Sequence, residues 1–395
     1  MKTILAKISS YLLRGLGAIL AIGVLAIGQC TQAQTFGSGS DGSFGPMNIT
    51  NNTTLPLPAN GIFNCTTISV ASGATLKFLR NELNTPVYLL ATGDVVIAGT
   101  IDVSGSAGLQ ALAGEGGPGG FDGGFPAAAA AEQPGDGFGP GGGKGGAAFP
   151  GGGDPNNSVY VKSGSFGTVG RYSSSQVLYG NTLLLPLIGG SGGGGTFGNP
   201  GVGGGGGGGA VLIASSTSIR NDGAIVAQGG FQATSLSLGA GSGGGIRVVA
   251  PRVFGTGAFD ASSNNGGFGI IRLDSIDRSG WSFSFNGKTR SGKNMVVFPT
   301  VIPRLDIIAA AGQVISEGTS NAVSIQLSHG ASTNQLVQIQ ARNFTNDVAI
   351  RLVVTPENGS STSYDTNIVV NANPANVTIP VVLTAGYNRI NAWTR

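Results

Sequence analysis

Two stretches decide the fold: residues 211–229, VLIASSTSIRNDGAIVAQG, and residues 246–262, IRVVAPRVFGTGAFDAS. Each opens on an apolar run that ends in alanine, Val211 to Ala214 and Ile246 to Ala250. An aliphatic follows, Ile219 or Val253, then Gly223 or Gly257 and a short alternating run. Ile219 to Val253 and Gly223 to Gly257 are both 34 residues apart. The same order appears in Val87 to Ala91, Val95 to Ile97 and Gly99 to Gly105, and it restarts at Ile270 to Leu273. Ile68 to Ala71 and Gly73 to Phe78 read as an earlier turn of the pattern. Strands this short cannot bury an apolar face singly, whereas stacked repeats bury a continuous core. In Ile101-Asp102-Val103, alternation sends the aliphatics inward and Asp102 outward. The pattern predicts an all-β chain whose main part is a parallel β-helix, a solenoid. A β-sandwich built from the same short strands is the competing arrangement.

Around this repeat the chain divides into three. Residues 1–33 read as a signal peptide, 34–300 as the glycine-rich β-helix and 301–395 as a C-terminal β-sandwich. A large insertion, about residues 105–209, separates the first aligned repeat from the second and holds more than half of the 72 glycines. Runs such as Gly203 to Gly209 offer no side chains to pack. The insertion is either a disordered loop or a compact layer of polyglycine strands sharing backbone hydrogen bonds. Ser158 to Val161 and Thr182 to Ile188 are its expected docking points. Past Pro303 glycine thins and alternating strands are expected at Val323 to Leu327, Gln335 to Ala341, Asp347 to Thr355, Val377 to Leu383 and Tyr387 to Trp393. Turn signals such as Pro356-Glu357-Asn358-Gly359 separate them, as in an immunoglobulin-like β-sandwich. Such a module would cover strand edges at the end of a solenoid.

Lys2, Lys7 and Arg14, the apolar run Gly15 to Ile27 and the small residues of Thr31-Gln32-Ala33 form a secretory signal, with cleavage before Gln34. The apolar run is shorter than the ~20 residues of a membrane span. Lipidation at Cys30 is the competing reading, against which Gln29 stands where a small residue is wanted. Removal of residues 1–33 leaves 18 basic and 18 acidic residues and Cys65 as the lone cysteine. A neutral chain has no field to draw it onto nucleic acid or anionic lipid. The expected location is secreted, extracellular or cell-surface, with the periplasm as an alternative.

Little in the chain points to chemistry. His329, the single histidine, sits in a Ser-His-Gly-Ala turn and reads as a solvated loop residue, so no Ser-His-Asp set is expected, and no His or Cys cluster exists for zinc or copper. Gly142-Gly143-Lys144-Gly145 lacks the Ser or Thr of a phosphate loop. Asp102 and Asp260 share one outward position in the repeat, with Val226 between them. Stacking would place the two carboxylates about 10 Å apart, near the range of an inverting glycosidase pair. They are weak catalytic candidates; as bland outward polar residues they need no function. Asp94, Glu115 and Asp122 lie in loops and could bind surface calcium weakly, but none forms a dense Asp-rich ligand loop; no cofactor is expected. Trp281, Phe283 and Phe285 alternate before Asn286-Gly287, which reads as a hairpin. They could contact carbohydrate by stacking, or pack as one apolar face.

Asn181 to Gly195 (NTLLLPLIGGSGGGG), Gly203 to Ala214 (GGGGGGGAVLIA) and Gly243 to Pro251 (GGGIRVVAP) resemble glycine-rich exported β-helix proteins of soil bacteria, acidobacteria among them. The resemblance spans most of the solenoid and implies no particular activity or catalytic residue. Val70 to Phe78 (VASGATLKF) is more loosely similar to coils of adhesin and autotransporter β-solenoids. The expected function is that of an exported, non-catalytic surface or matrix protein, adhesin-like or scaffold. A polysaccharide-binding or polysaccharide-degrading β-helix is the alternative. Extracellular polysaccharide or cell-surface components are the expected partners.

Overall fold

The computed structural model describes residues 36–395 apart from 129–131, 149–153, 155, 172–176, 235, 300, 302, 318–322, 358 and 395. The expected signal, residues 1–33, lies outside the described residues, Cys30 included. Residues Gly37 to Arg395 form one compact unit. The chain is all-β: the described residues contain strands and turns and no α- or 3₁₀-helix, and no helix among them is long and apolar enough to cross a membrane.

Fifteen strands occupy the first part: β1 (Gly45–Ile49), β2 (Thr53–Pro56), β3 (Ile62–Val70), β4 (Thr75–Leu79), β5 (Val87–Ala91), β6 (Val95–Ile97), β7 (Thr100–Asp102), β8 (Ala210–Ser215), β9 (Ser218–Asn221), β10 (Ala224–Val226), β11 (Gly245–Phe254), β12 (Ala258–Asp260), β13 (Ile270–Asp277), β14 (Ser284–Asn286) and β15 (Lys288–Gly292). All pair in parallel. One sheet runs β15-β13-β11-β8-β5-β3-β6-β9, with β1 on β3 and β11 also on β9; a second runs β14-β12-β10-β7-β4-β2. The chain passes from the first sheet to the second and returns one strand further along. Identical positions therefore stack into columns. Val87, Val211, Ile246 and Ile271 form one, and Leu89, Ile213, Val248 and Leu273 the next. From the second sheet Leu76, Ile101, Ile225 and Phe259 complete the lining. These twelve side chains are essentially inaccessible, and each contributes about 1.5–3 kcal/mol by burial.

The 34-residue interval is borne out residue for residue, Ile219 against Val253 and Ala224 against Ala258. Matching by terminal alanines is off by one: Leu90, not Ala91, faces Ala214, and Ala91 faces Ser215. The inward register of the aliphatics sets the alignment, and a one-residue slip would turn each to the wrong face. The hairpin at Asn286-Gly287 is not formed. β14 pairs with β12 and β15 with β13, in different sheets, so Gly287 is a corner between them.

The glycine-rich segments leave at one corner, where a strand of the second sheet returns to the first: residues 103–209, 227–244 and 261–269. Their described residues stack on one another as an ordered layer. In Gly203 to Gly209, the amides of 209, 206 and 203 donate to the carbonyls of Val103, Ser106 and Leu109. Those of 208 and 205 donate to Ser242 and Gly239, and those of 207 and 204 to Phe121 and Gly124. Each neighbour is met every third residue. A period of three with every bond directed outward is that of a polyproline-II-type helix, not of a strand. Further segments extend the lattice: Gly190 and Gly193 donate to Gly208 and Gly205, and Gly143 and Gly146 to Gly192 and Gly195. Val161, Leu184 and Leu187 are buried, so both expected docking points carry anchors.

The last part holds seven antiparallel strands: β16 (Arg304–Ala310), β17 (Gln313–Val314), β18 (Asn334–Arg342), β19 (Val348–Pro356), β20 (Thr362–Ile368), β21 (Ala375–Val382) and β22 (Asn388–Thr394). They form two sheets, β17-β16-β18-β21 and β20-β19-β22, whose inward residues, among them Val337, Ile339, Ile350, Leu352 and Ile379, share one core. Val323 to Leu327 is not a strand; its residues are largely exposed. The expected strands do not include β16 or β20, although Pro303 and Gly312 flank the first and Gly359 precedes the second; RLDIIAA and TSYDTNI lack the regular apolar alternation by which the others are read.

Candidate functional site

Asp102 and Asp260 do share a column, each paired across Val226. The surroundings of each are occupied. Asp102 lies 3.0 Å from the Lys77 ammonium and accepts the Ser104 amide at 2.9 Å. Burial acts to raise its carboxyl, but the Ser104 hydrogen bonds and Lys77 outweigh this and hold it below the usual carboxylate value. A general acid requires the opposite shift. Asp260 accepts the Ser262 amide at 2.9 Å and the Gln228 amide group at 2.7 Å. Both residues therefore close the same Asp-x-Ser turn, at corners where glycine-rich segments depart. The backbone amide of Gln228 donates to the Ser104 hydroxyl, tying one corner to the next. The repeated spacing, Asp102-Val103-Ser104 and Asp260-Ala261-Ser262, is the sequence signal for that turn.

Trp281, Phe283 and Phe285 lie at the last rung. Phe285 continues the inward column and stacks on Phe259, with centroids 5.5 Å apart and planes 11° apart. Phe283 meets Phe259 edge-on at 5.1 Å. Trp281 and Phe283 pack against the core and Phe285 is 39% exposed. The row closes the end of the core and turns one ring face outward. Asp94 accepts the hydroxyls of Thr217 and Ser218, Asp122 sits between two arginines, and Glu115 is exposed, its backbone bonded to the Ser106 hydroxyl. Among the described residues no three His, Cys, Asp or Glu converge as a metal site. His329 is exposed in its turn.

A junction that sequence reasoning missed joins the C-terminal sheets to the glycine layer. Arg80 and Arg389 both pair with Asp122, Arg389 at 3.3 Å, and the Arg389 guanidinium lies 4.7 Å over Phe138. Asp136, almost fully buried, accepts Lys144 at 2.6 Å and the amides of Gly145 and Ser361. The Gly359 amide donates to Gln133. The contact expected at the strand edges falls on the layer instead. Burial would raise Asp122, but Arg80, the Gly116 amide and Arg389 outweigh it and hold its carboxyl below its ordinary 3.8. A carboxyl lowered by folding stabilises the fold above that ordinary value, and the contribution fades as pH falls through the lowered one. Because the pairs are partly exposed and screened, Asp122→Asn should cost about 1 kcal/mol at neutral pH. The gap from the parent chain in urea midpoint should close below pH 3.8. A gap unchanged down to strong acid would show that the ion pairs do not act.

Cys65 is fully buried in the core, and burial pushes its thiol up to about 11. The thiolate is the reactive form. Mass-mapped alkylation should leave Cys65 unmodified in the native chain and label it fully in urea; native labelling would contradict this packing. One cleft, of about 120 Å³, lies between the layer and β15, beside Phe166, Tyr179, Lys288 and Arg290. Another, of about 230 Å³, lies among Phe344 to Ala349 and Thr394. Both are below the roughly 300 Å³ at which ligand pockets begin. No protein-family model, curated protein or solved structure matches the chain.

Proposed function

We propose that this is an exported, non-catalytic surface or extracellular-matrix protein, adhesin-like or scaffold. In this reading residues 34–300 are a glycine-rich parallel β-helix and 301–395 an immunoglobulin-like sandwich. The parallel register from β1 to β15 and the two antiparallel sheets with a shared core support that architecture. The observation that carries the function is the glycine layer. A large share of the chain is spent on a lattice of backbone hydrogen bonds, which stiffens the body and offers few side chains for chemistry. The aspartates with a catalytic spacing are engaged as turn closures.

The test is a glycan-array screen run beside a polysaccharide-degradation assay on the exported chain. Binding without product supports the reading. Release of oligosaccharides, lost on Asp102→Asn or Asp260→Asn, would establish the enzymatic alternative. A polysaccharide-binding role has one specific observation in its favour, the cationic cleft at β15.

A further inference from the structure

We propose that the cleft beside β15 binds a carboxylate or sulfate group of an acidic polysaccharide. β15 is the last strand of the first sheet. Its Thr289 and Ser291 pair with the core residues Ile271 and Leu273, so Lys288 and Arg290 point outward, against Ile270 and Arg272. On the three paired stretches 245–249, 270–274 and 288–292 the outward positions carry Arg247, Arg272, Lys288 and Arg290. Asp274 is the single carboxylate among those positions.

That carboxylate is already used. Arg272 holds it with two hydrogen bonds, at 2.7 and 3.0 Å, and Arg247 lies 3.6 Å away. Arg247 is fully buried, and its Nε and Nη1 have no hydrogen-bond partner. Lys288 donates to the Gly167 carbonyl and Arg290 to the carbonyl of its own neighbour Thr289. Among the described residues neither lies within ion-pair distance of a carboxylate. The run is therefore a positive strip with a formal excess of three, covered at its Arg247 end and open at Arg290. Charges buried in low dielectric are screened weakly, so the covered guanidinium groups add to the potential in the open cleft.

Size and surroundings select the ligand. About 120 Å³ accepts an anionic group but not the ring that bears it. The ring would rest outside, against Leu178, which is exposed at the lip. The rest of residues 34–395 carries 14 basic against 17 acidic residues, so the extended basic face that a nucleic acid or an anionic bilayer needs is lacking. The choice of a glycan rests on the surface-protein reading above; the anion cleft does not.

Calorimetric titrations with polygalacturonate, dextran sulfate and neutral dextran test this. Polygalacturonate binding assigns the cleft to carboxylate and dextran sulfate binding to sulfate, while dextran should not bind. Lys288→Ser with Arg290→Ser should weaken binding at least about tenfold, the loss of two charge-assisted contacts. Lys77→Ser with Arg220→Ser removes the same charge elsewhere and should leave affinity unchanged. Should the first pair fail to fold, the exposed single substitution Arg290→Gln should still weaken binding several-fold. No binding to either polyanion, or equal loss in both double variants, overturns the proposal. Release of oligosaccharides would instead overturn the non-catalytic reading and leave the cleft standing.

Discussion

Gly207→Ala should lower the stability of this protein by about 3 kcal/mol, and Gly207→Val by 4 kcal/mol or more. A Cβ at Gly207 would overlap the Gly190 carbonyl oxygen, with the Gly190 and Ser191 carbonyl carbons close behind. These are backbone atoms, so no rotamer change makes room. The Gly207 amide donates to Phe121, and the neighbouring amides of 206 and 208 donate to Ser106 and Ser242. Moving this helix away from Gly190 therefore breaks bonds to several other segments at once. Gly204 repeats the situation one turn earlier, against Gly193. The control is Gly37→Ala, where the added carbon meets no atom within 4 Å; its effect should stay within about 0.5 kcal/mol. Urea midpoints of the three variants decide the matter. A Gly207→Ala chain as stable as its parent would mean that the glycine lattice is not formed.

How legible the molecule is in its sequence follows from the same physics. The stacked repeat is legible because inward positions must be aliphatic at a fixed interval, and Ile219 and Val253 do face one another. The register of the apolar strands is less so. Val211 to Ala214 and Ile246 to Ala250 are buried on both faces, so their alternation is erased and a terminal alanine becomes a false guide. The glycine layer is half legible. Its composition fits either disorder or a backbone lattice, and only the pairing of distant amides, such as Gly206 with Ser106, distinguishes them. Asp102 and Asp260 are found by the repeat, yet their partners Lys77 and Gln228 lie on other rungs. The junction at Asp122 is illegible in sequence, because Arg80, Asp122 and Arg389 come from three remote parts of the chain.

The second large effect is expected at Asp274. Its carboxylate is inaccessible and accepts two bonds from Arg272 and one from the Asn294 amide, with Arg247 alongside. Asp274→Ala leaves two guanidinium groups under cover without a counter-charge. Breaking a buried pair from one side in this way costs about 3–5 kcal/mol. It also frees Asn294, at the start of the segment that crosses the outer face of the first sheet; there the Val296 carbonyl accepts Arg247 at 2.6 Å and Phe298 packs on Tyr88. Cleavage in residues 293–298 under limited proteolysis should therefore appear along with the loss of stability. Arg247→Met should behave differently. Two of the Arg247 nitrogens have no partner in the parent, so exchanging the buried cation for an apolar chain removes an uncompensated cost and should stay within about 1 kcal/mol of neutral. Placed together, Arg247→Met should recover part of the loss caused by Asp274→Ala, since one of the two stranded charges is gone. A double-mutant cycle measures that coupling directly. Strict additivity would mean that the two residues do not share an electrostatic site, and a fully tolerated Asp274→Ala would mean that the positive strip needs no internal counter-ion.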